Sequence, residues 1–474
     1  MENNAWTRGI KETLNVDVVT DWVSSQSEYT TKLNLAIAAG ELPDVIYCNP
    51  VQFRQLLEAG LIADITDYIE NNASDTVKGI MAYAPEAVET AKRNGRLYAM
   101  PAFGYGPLDD PELLWIRRDW MLAAGTAVPR TIADLENLMV TFMRTHPGSY
   151  GTWLDRTLDV MYYLAPAFKA YPGMWVSAAD GSIVHGAVQN EMREVLRTFA
   201  DWYRKGYLKQ DFMAMDDNAL RQDIASGKFG IQIHPQWWYA YAPDVVNNQG
   251  KETYFEAYEL PSVDGNPVIH PQDYDNGAYV VINKNCKNIA AAIKCISYIQ
   301  YIVTDGVAQG IMTQEDLDPF IYSYNLHIMP MFKINDPVNE ETQYREIQAA
   351  KRTGNPVFTS SLTMAKYNLS KLWEDDRNIE GIMPWLQSYA DRSAYTANIK
   401  VFEENRFLLT RLLGPAPEDL AAYGSTLDDI LKEGFTKIII GQEPLSYFDT
   451  LVREWRAAGG DVATAAVNRD YGKK

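Results

Sequence analysis

An aromatic run stands directly after a predicted strand in the middle of the chain. The run QWWYAY, from Gln236 to Tyr241, follows the apolar segment Phe229 to Ile233. Indole and phenol rings pack on the apolar C–H face of a sugar ring, whereas planar polar side chains bind its hydroxyls. We therefore expect Trp237 or Trp238 to be a stacking platform, with Tyr241 beside it. The alternative is a helix start whose aromatic side chains pack in the core.

Other candidate ligand-binding residues stand in loops and at strand ends. Trp175 lies in the aromatic loop YPGMW, and Asn49 follows the predicted strand at 44–48. A polar turn precedes the predicted strand at 278–283 and contains Asp273, Tyr274 and Asp275. The remaining candidates are Gln26, Tyr105 and Asp109, near the rim of the first α/β block, and Trp153, in a later loop. The alternatives are a solvated turn at 273–277 and core packing for the tryptophans.

No spacing of catalytic or metal-ligating residues points to an enzyme. The 5 histidines lack the H-E-x-x-H spacing, and Cys48, Cys286 and Cys295 lack C-x-x-C pairs, so buried free thiols are expected. The chain has no G-x-S-x-G elbow, phosphate-binding loop or dinucleotide-binding glycine motif. A glycoside hydrolase needs only two carboxylates about 5–10 Å apart, and it is therefore the alternative interpretation. We predict no catalytic residue, no metal and no cofactor.

Length and charge exclude several classes of protein. At about 100–200 residues per domain, 474 residues predict two to four domains. The chain has 43 Lys and Arg against 62 Asp and Glu, a net charge of −19 without any basic run. Nucleic acid is therefore excluded as a partner, since phosphate binding needs clustered cations. Carboxylates without matching cations favour neutral or cationic ligands, although local arginines decide how anionic sugars are recognised.

Alternating strand and helix patterns organise the first three hundred residues into two α/β blocks. Strands are predicted at 16–20, 44–48, 97–101, 113–116, 229–233, 254–260 and 278–283. A helix is predicted from Pro85 to Gly95, and the chain is almost wholly helical from about residue 336. Arg117 and Arg118 are expected on opposite faces of a strand, in structural roles. Trp202, Trp373 and Trp455 fall in helical apolar stripes and are expected in the core.

Several short segments stand in a characteristic order and spacing: AGELPDV (39–45), LYAMP (97–101), WIRRDW (115–120), DWYRKGY (201–207), SGKFG (226–230) and GFTKII (434–439). Together they resemble the extracellular solute-binding proteins of bacterial ABC importers. The resemblance is to the maltose-binding-protein-like group, and within it to the large lipoprotein type of Gram-positive bacteria. It extends over most of the chain.

The resemblance implies an α/β, two-lobed, type II periplasmic-binding-protein-like fold, with hinge strands and a large helical C-terminal part. Residues 1–109 and 262–327 would form the first lobe, and residues 110–261 and 328–474 the second. The implied function is to capture a carbohydrate, most simply an oligosaccharide, in the cleft and to deliver it to a membrane permease. The protein would act as a monomer. The alternatives are a carbohydrate-active hydrolase and a helical interaction protein, and the α/β first half speaks against the latter.

Two departures from the family pattern affect what the resemblance implies. Relatives carry a signal peptide with a lipid-attached cysteine and a first strand before the segment matching 2–18, and neither stands in this sequence. We therefore expect a mature or trimmed chain of an extracellular, lipid-anchored protein. The region 143–155 is also shorter than the Asp- and Gly-rich loop of relatives, so no metal site is carried over.

Overall fold

The structure is a computed structural model, and it describes residues 5–24, 26–103, 106–272, 278–305, 334–414 and 416–472. The chain divides into two compact units. Unit 1 comprises residues 1–106, 273–366 and 413–416, and unit 2 comprises residues 107–272, 367–412 and 417–474. The unit boundaries lie at 106–107, 272–273 and 366–367, and the lobe boundaries expected from sequence are 109–110, 261–262 and 327–328.

Unit 1 is built around a three-stranded antiparallel sheet. Its strand order is β1–β11–β4, with β1 at Val45–Cys48, β4 at Ala99–Pro101 and β11 at Tyr279–Ile282. All four residues of the central strand β11 are buried, which explains its continuous apolar sequence. The helices of this unit are Ala5–Leu14, Gln26–Ala39, Pro50–Glu58, Thr66–Asn72, Asp75–Tyr83, Pro85–Thr90, Ile289–Asp305 and Asn339–Thr353, and Ser361–Asp376 spans the boundary at 366.

Two sequence predictions in unit 1 are wrong. Residues 16–20 form no strand, because none of them is buried and they pair with no described strand. The helix predicted from Pro85 to Gly95 ends at Thr90, because the next residues form a hairpin of β2 (Lys92–Arg93) and β3 (Arg96–Leu97). Asn94 and Gly95 make its turn with φ of 51° and 75°. Asn-Gly is the preferred pair for such a turn, since both of its residues need positive φ.

Unit 2 contains the sheet that positions the candidate site. Its strand order is β8–β5–β9, with β5 at Leu113–Arg117, β8 at Ile231–His234 and β9 at Phe255–Glu259, all antiparallel. Leu113, the first residue of β5, lies opposite His234 on one side and opposite Glu259 on the other. Strands β8 and β9 therefore finish at the same end of the sheet at which β5 begins.

Helices and two smaller strand pairs complete unit 2. Strands β6 (Trp175–Ser177) and β7 (Ile183–His185) form a hairpin, and β10 (His270–Gln272) pairs in parallel with β12 (Phe407–Leu409). The helices are Arg118–Ala124, Ile132–Thr145, Asp159–Leu164, Met192–Arg204, Asp217–Ala225, Ala242–Gln249, Ile382–Pro384, Ala394–Glu403, Glu418–Ile439, Phe448–Trp455 and Asp461–Tyr471. The prediction of a helical C-terminal part and of buried Trp202, Trp373 and Trp455 is confirmed. None of the described helices has the length and apolar character that crossing a membrane requires.

Arg117 and Arg118 are structural, as predicted, but they do not lie on one strand. Arg117 ends β5, and its buried guanidinium donates to both carboxylate oxygens of Asp119 at 2.8 and 2.7 Å and to Gln249 at 2.9 Å. Arg118 begins the following helix and pairs with Glu252 at 3.2 Å. Both cations are therefore neutralised by carboxylates within unit 2.

Gly230, just before β8, occupies a position with no room for a side chain. A Cβ atom there would lie 2.2 Å from Cε3 of Trp120 and 2.7 Å from Cδ2 of Phe142. These two buried rings pack edge to face with centroids 5.3 Å apart. The glycine therefore lets the start of β8 approach the Trp120–Phe142 pair directly.

We expect Gly230→Ala to lower the free energy of unfolding by about 1–3 kcal/mol, because the added methyl group overpacks a filled core. Urea denaturation monitored by circular dichroism measures this change. Gly173→Ala is the matched control in the same unit, since a Cβ there meets nothing within 4 Å. The control should stay within about 0.5 kcal/mol of wild type. Equal stabilities for the two variants would contradict the packing argument.

Candidate ligand-binding site

The turn after β8 separates two adjacent tryptophans into different environments. Residues Gln236–Tyr241 form a short 3-10 turn that begins after Pro235. Trp237 is 41% exposed, whereas Trp238 is 1% exposed. The Trp238 ring packs edge to face on Phe255, with ring centroids 5.7 Å apart. Of the two tryptophans proposed from sequence, only Trp237 presents a ring face to solvent, and Trp238 belongs to the core of unit 2.

His234 supports the exposed indole from below. Its ring meets Trp237 edge to face at 4.0 Å and Tyr163 at 5.6 Å between centroids. Burial of the imidazole lowers the pKa of His234 to about 4, so the ring is neutral at pH 7. We call Tyr163, His234 and Trp237 the aromatic platform. It is an uncharged surface at the end of the β8–β5–β9 sheet where β8 finishes.

Tyr241 lies under this platform and is buried. Its ring centroid is 6.2 Å from that of Trp237, and its hydroxyl donates to Asp217 at 2.8 Å. The guanidinium of Arg221 stacks 4.8 Å from the centre of the same ring. Tyr241 thus stands beside Trp237, as the sequence predicts, but its hydroxyl is already bonded within the protein.

Tyr163 brings a half-buried phenol to the platform from the helix Asp159–Leu164. No hydrogen bond to its hydroxyl arises from any residue that the structure describes. Burial raises the pKa of Tyr163, and the negative charges of Asp159, Glu112 and Asp155 raise it further. The phenol is therefore protonated at neutral pH.

Glu112 and Asp155 are the two partly buried carboxylates of this group. Glu112 immediately precedes β5, is 9% exposed and accepts from Nδ1 of His270 at 3.4 Å. Asp155 accepts from the backbone N–H and hydroxyl of Thr157 at 2.9 and 2.5 Å. In the described part of the chain, no lysine or arginine forms an ion pair with either carboxylate. The platform therefore has hydrogen-bond acceptors with unused capacity beside it.

Asp109 is connected to the platform through buried side chains. The hydroxyl of Tyr395 donates to Asp109 at 2.6 Å, and the Gln387 amide donates to Tyr395 at 3.2 Å and to the hydroxyl of Tyr239 at 3.0 Å. Tyr239 belongs to the same short turn as Trp237. The structure thus gives Asp109, a sequence-derived candidate, a role in holding that turn.

Trp153 and Trp175 are both buried, and they lie in different parts of unit 2. The ring of Trp153 is 6.3 Å from that of Phe229 in the core behind the sheet. Trp175 begins β6 and packs edge to face on His185 at 5.1 Å. Each indole packs in the core under its loop, so neither has an exposed face in unit 2. The sequence had instead suggested that both rings face a ligand.

The candidates in unit 1 have separate surroundings. The side chain of Asn49 caps the helix Pro50–Glu58 by accepting from the N–H of Gln52 at 2.9 Å. Gln26 begins the helix Gln26–Ala39, and its side chain is outside the described part of the structure. Four further candidates lie outside the described residues, namely Tyr105, Asp273, Tyr274 and Asp275.

The cysteines are free thiols and form no metal site among the described residues. Cys48 and Cys295 are buried and Cys286 is half-buried, so the prediction of free thiols is confirmed and that of burial holds for two of them. Burial raises the pKa of Cys295 to about 11, so this thiol is a poor nucleophile at neutral pH. The described residues contain no group of three or more His, Cys, Asp or Glu side chains placed to hold a metal ion.

Tyr163, Glu112 and Asp155 are not among the residues predicted from sequence. Glu112 had a local signal, because it is an acidic residue directly before a strand that begins with four apolar residues. Asp155 had a weaker one as the first acidic residue after Trp153. Tyr163 had none, since helical spacing makes it indistinguishable from the neighbouring core residues.

The fold identifies the class of protein. The structure is similar to the solved structure of the alginate-binding protein AlgQ2 without calcium ion, with a TM-score of 0.63 and 14% sequence identity. The similarity covers 100% of this chain and 95% of that one. The fold is that of the type II periplasmic-binding-protein class, which confirms the architecture implied by the sequence resemblance.

A family model described as bacterial extracellular solute-binding protein matches residues 4–300. The chain belongs to this family. It is 21% identical to lipoprotein LipO of Bacillus subtilis over 96% of this chain and 86% of the relative. It is also 30% identical to the fructooligosaccharide ABC transporter substrate-binding protein FusA of Streptococcus pneumoniae, over 44% of this chain and 43% of FusA.

The buried imidazole of His234 predicts a pH-dependent stability. Its pKa is about 4 in the folded protein against an ordinary value of 6.5, so the unfolded chain binds more protons between these values. The free energy of unfolding therefore falls as the pH drops below 6.5, by about 2 kcal/mol for this group between pH 7 and pH 5.

Urea denaturation of wild type and His234→Asn at pH 7 and pH 5 measures this contribution. The variant should lose about 2 kcal/mol less than wild type over this interval, because the titrating imidazole is absent. The carboxylates titrate in both proteins and cancel in the comparison. An identical pH dependence in the two proteins would show that His234 is not held neutral by burial.

Proposed function

We propose that this protein is the substrate-binding component of an ABC importer, and that it captures an oligosaccharide and delivers it to a membrane permease. The observation that carries the proposal is Trp237. Its indole is 41% exposed in a turn where Trp238, Tyr239 and Tyr241 are buried. A large apolar ring held rigidly at the surface by a buried histidine suits stacking on a sugar ring.

The polar groups beside the platform suit the rest of a sugar. Glu112, Asp155 and the hydroxyl of Tyr163 offer acceptors that the described residues do not saturate. Sugar hydroxyls are donors that satisfy such acceptors, while the C–H face of the ring packs on Trp237. This division of an aromatic wall and a few convergent polar groups supports a carbohydrate over an apolar ligand.

The named relatives support the same class of ligand. FusA is named as a fructooligosaccharide-binding protein of an ABC transporter, and AlgQ2 as an alginate-binding protein. LipO is named as a lipoprotein, which supports an extracellular position with a lipid anchor. We include in the proposal a monomer that docks on a permease, without catalysis and without nucleic acid as a partner.

A glycoside hydrolase is the second candidate. The charges of Glu112 and Asp155 both raise the pKa of Tyr163, and Glu112 directly precedes Leu113, which lies opposite His234 of the platform. Glycoside hydrolysis needs such a pair, with one carboxylate protonated at working pH. The fate of the bound sugar separates the two candidates.

A thermal-shift screen against oligosaccharides tests the function directly. A ligand at about a thousand times its Kd stabilises the native state by about 4 kcal/mol, which raises the Tm clearly. We expect at least one neutral oligosaccharide to raise the Tm and to be recovered intact by chromatography. Recovery of cleaved products would instead identify a hydrolase, and no stabilisation by any sugar would contradict carbohydrate binding.

Trp237→Ala tests the platform. Loss of a central stacking ring should weaken binding of the best sugar by roughly 30-fold, equivalent to about 2 kcal/mol. Stability should change little because the side chain is already 41% exposed. Tyr68→Ala is the matched control, since Tyr68 is a 38% exposed aromatic residue in unit 1. Isothermal titration calorimetry measures both, and unchanged affinity in Trp237→Ala would remove this residue from the site.

A further inference from the structure

We propose that Glu112 and Asp155 make this site selective for neutral oligosaccharides and exclude chains of uronic acids. This inference rests on the proposed carbohydrate-binding function. It adds the charge class of the ligand and assigns the selectivity to two named side chains.

The register of the sheet places Glu112 at the platform. The next residue, Leu113, lies directly opposite His234, whose ring touches Trp237 at 4.0 Å. Glu112 thus precedes β5 at the same end of the sheet at which Trp237 follows β8. Asp155 lies in the loop between Trp153 and the helix that carries Tyr163.

Glu112 has a histidine as its partner and forms no ion pair with a lysine or arginine of the described residues. Its partner His270 is buried, and Nδ1 of that ring makes the 3.4 Å contact with the carboxylate. Nε2 of His270 has no hydrogen-bond partner among the described residues. The remaining acceptor sites of the Glu112 carboxylate have no partner among the described residues.

Three cations of this part of unit 2 are paired with carboxylates. Lys209 binds Asp223 at 2.9 Å, and Arg221 binds Asp244 at 2.7 Å. The buried Arg406 pairs with Glu259, the last residue of β9, and with Glu404. A uronate is normally recognised by an arginine that is free to bind its carboxylate with two hydrogen bonds.

Arg156 is the rival to this proposal. It is exposed in the same loop as Asp155, and the described residues give it no ion pair. A uronate group that reached Arg156 would gain a favourable contact. The experiment therefore includes this residue as a separate variant.

Unsatisfied acceptors also favour neutral sugars. The carboxylates of Glu112 and Asp155 both keep acceptor sites that no described residue fills. Neutral sugars bring hydroxyl donors to such acceptors, whereas a carboxylate brings only further acceptors and a like charge.

The test compares ligands that differ in charge but share a skeleton. The probes are tetragalacturonate, its methyl ester, an alginate tetrasaccharide, and neutral fructo-, malto- and xylo-oligosaccharides. We expect neutral probes to bind, and tetragalacturonate to bind at least about ten-fold more weakly than its methyl ester. Isothermal titration calorimetry at fixed ionic strength measures each Kd.

Variants then assign the selectivity to residues. Glu112→Gln and Asp155→Asn keep the side-chain shape. Each should lower the ratio of the Kd of tetragalacturonate to the Kd of its methyl ester by about three- to ten-fold. Arg156→Gln should leave the ratio unchanged. Circular dichroism confirms that each variant is folded before its Kd is used.

Three outcomes overturn the inference. The inference is overturned, and carbohydrate binding remains intact, if tetragalacturonate or the alginate tetrasaccharide binds as tightly as the neutral probes. The inference is also overturned if only Arg156→Gln loses binding of the acidic sugars, because Arg156 would then be the residue that recognises the uronate carboxylate. Binding by no sugar of either charge overturns the proposed function, and the inference with it.

Discussion

The pairing of β5 with β8 on one side and β9 on the other is the constraint on which the arrangement of unit 2 depends. Antiparallel register aligns Leu113 with both His234 and Glu259, so three chain segments end or begin on one line. A shift of one residue would turn every side chain to the opposite face of the sheet. The buried, apolar residues of β5 and β8 prevent such a shift, and they thereby fix where Glu112 and Trp237 emerge.

The exposed indole of Trp237 is held in position because the neighbouring residues of its turn are buried. Trp238, Tyr239 and Tyr241 anchor the turn in the core, and the buried chain from Tyr239 through Gln387 and Tyr395 to Asp109 holds it from below. Rigid placement of a large ring lowers the conformational entropy lost on binding. The apolar support and the proposed ligand surface are thus two faces of one short turn.

The sequence predicts the fold class and most elements well, because strand runs and amphipathic helices leave periodic signals. It fails where one local signal outweighs another, as at Asn94-Gly95, where a hairpin turn ends a helix that periodicity extends to Gly95. It also fails between neighbours of the same type. Trp237 and Trp238 are chemically identical in sequence, and only the path of the backbone after Pro235 decides which of them is buried.

The proposed site is half predictable for a related reason. Trp237 can be proposed from its residue type, whereas Glu112 can be proposed only because strand pairing joins it to a segment more than a hundred residues away. Overall charge indicates the sign but not the location, since most carboxylates of this acidic chain are exposed or paired with cations. What distinguishes Glu112 is its burial beside His270 without an ion pair to a lysine or arginine of the described residues. A few carboxylates in such positions govern ligand charge more strongly than the net charge of −19, because solvent screens the remainder.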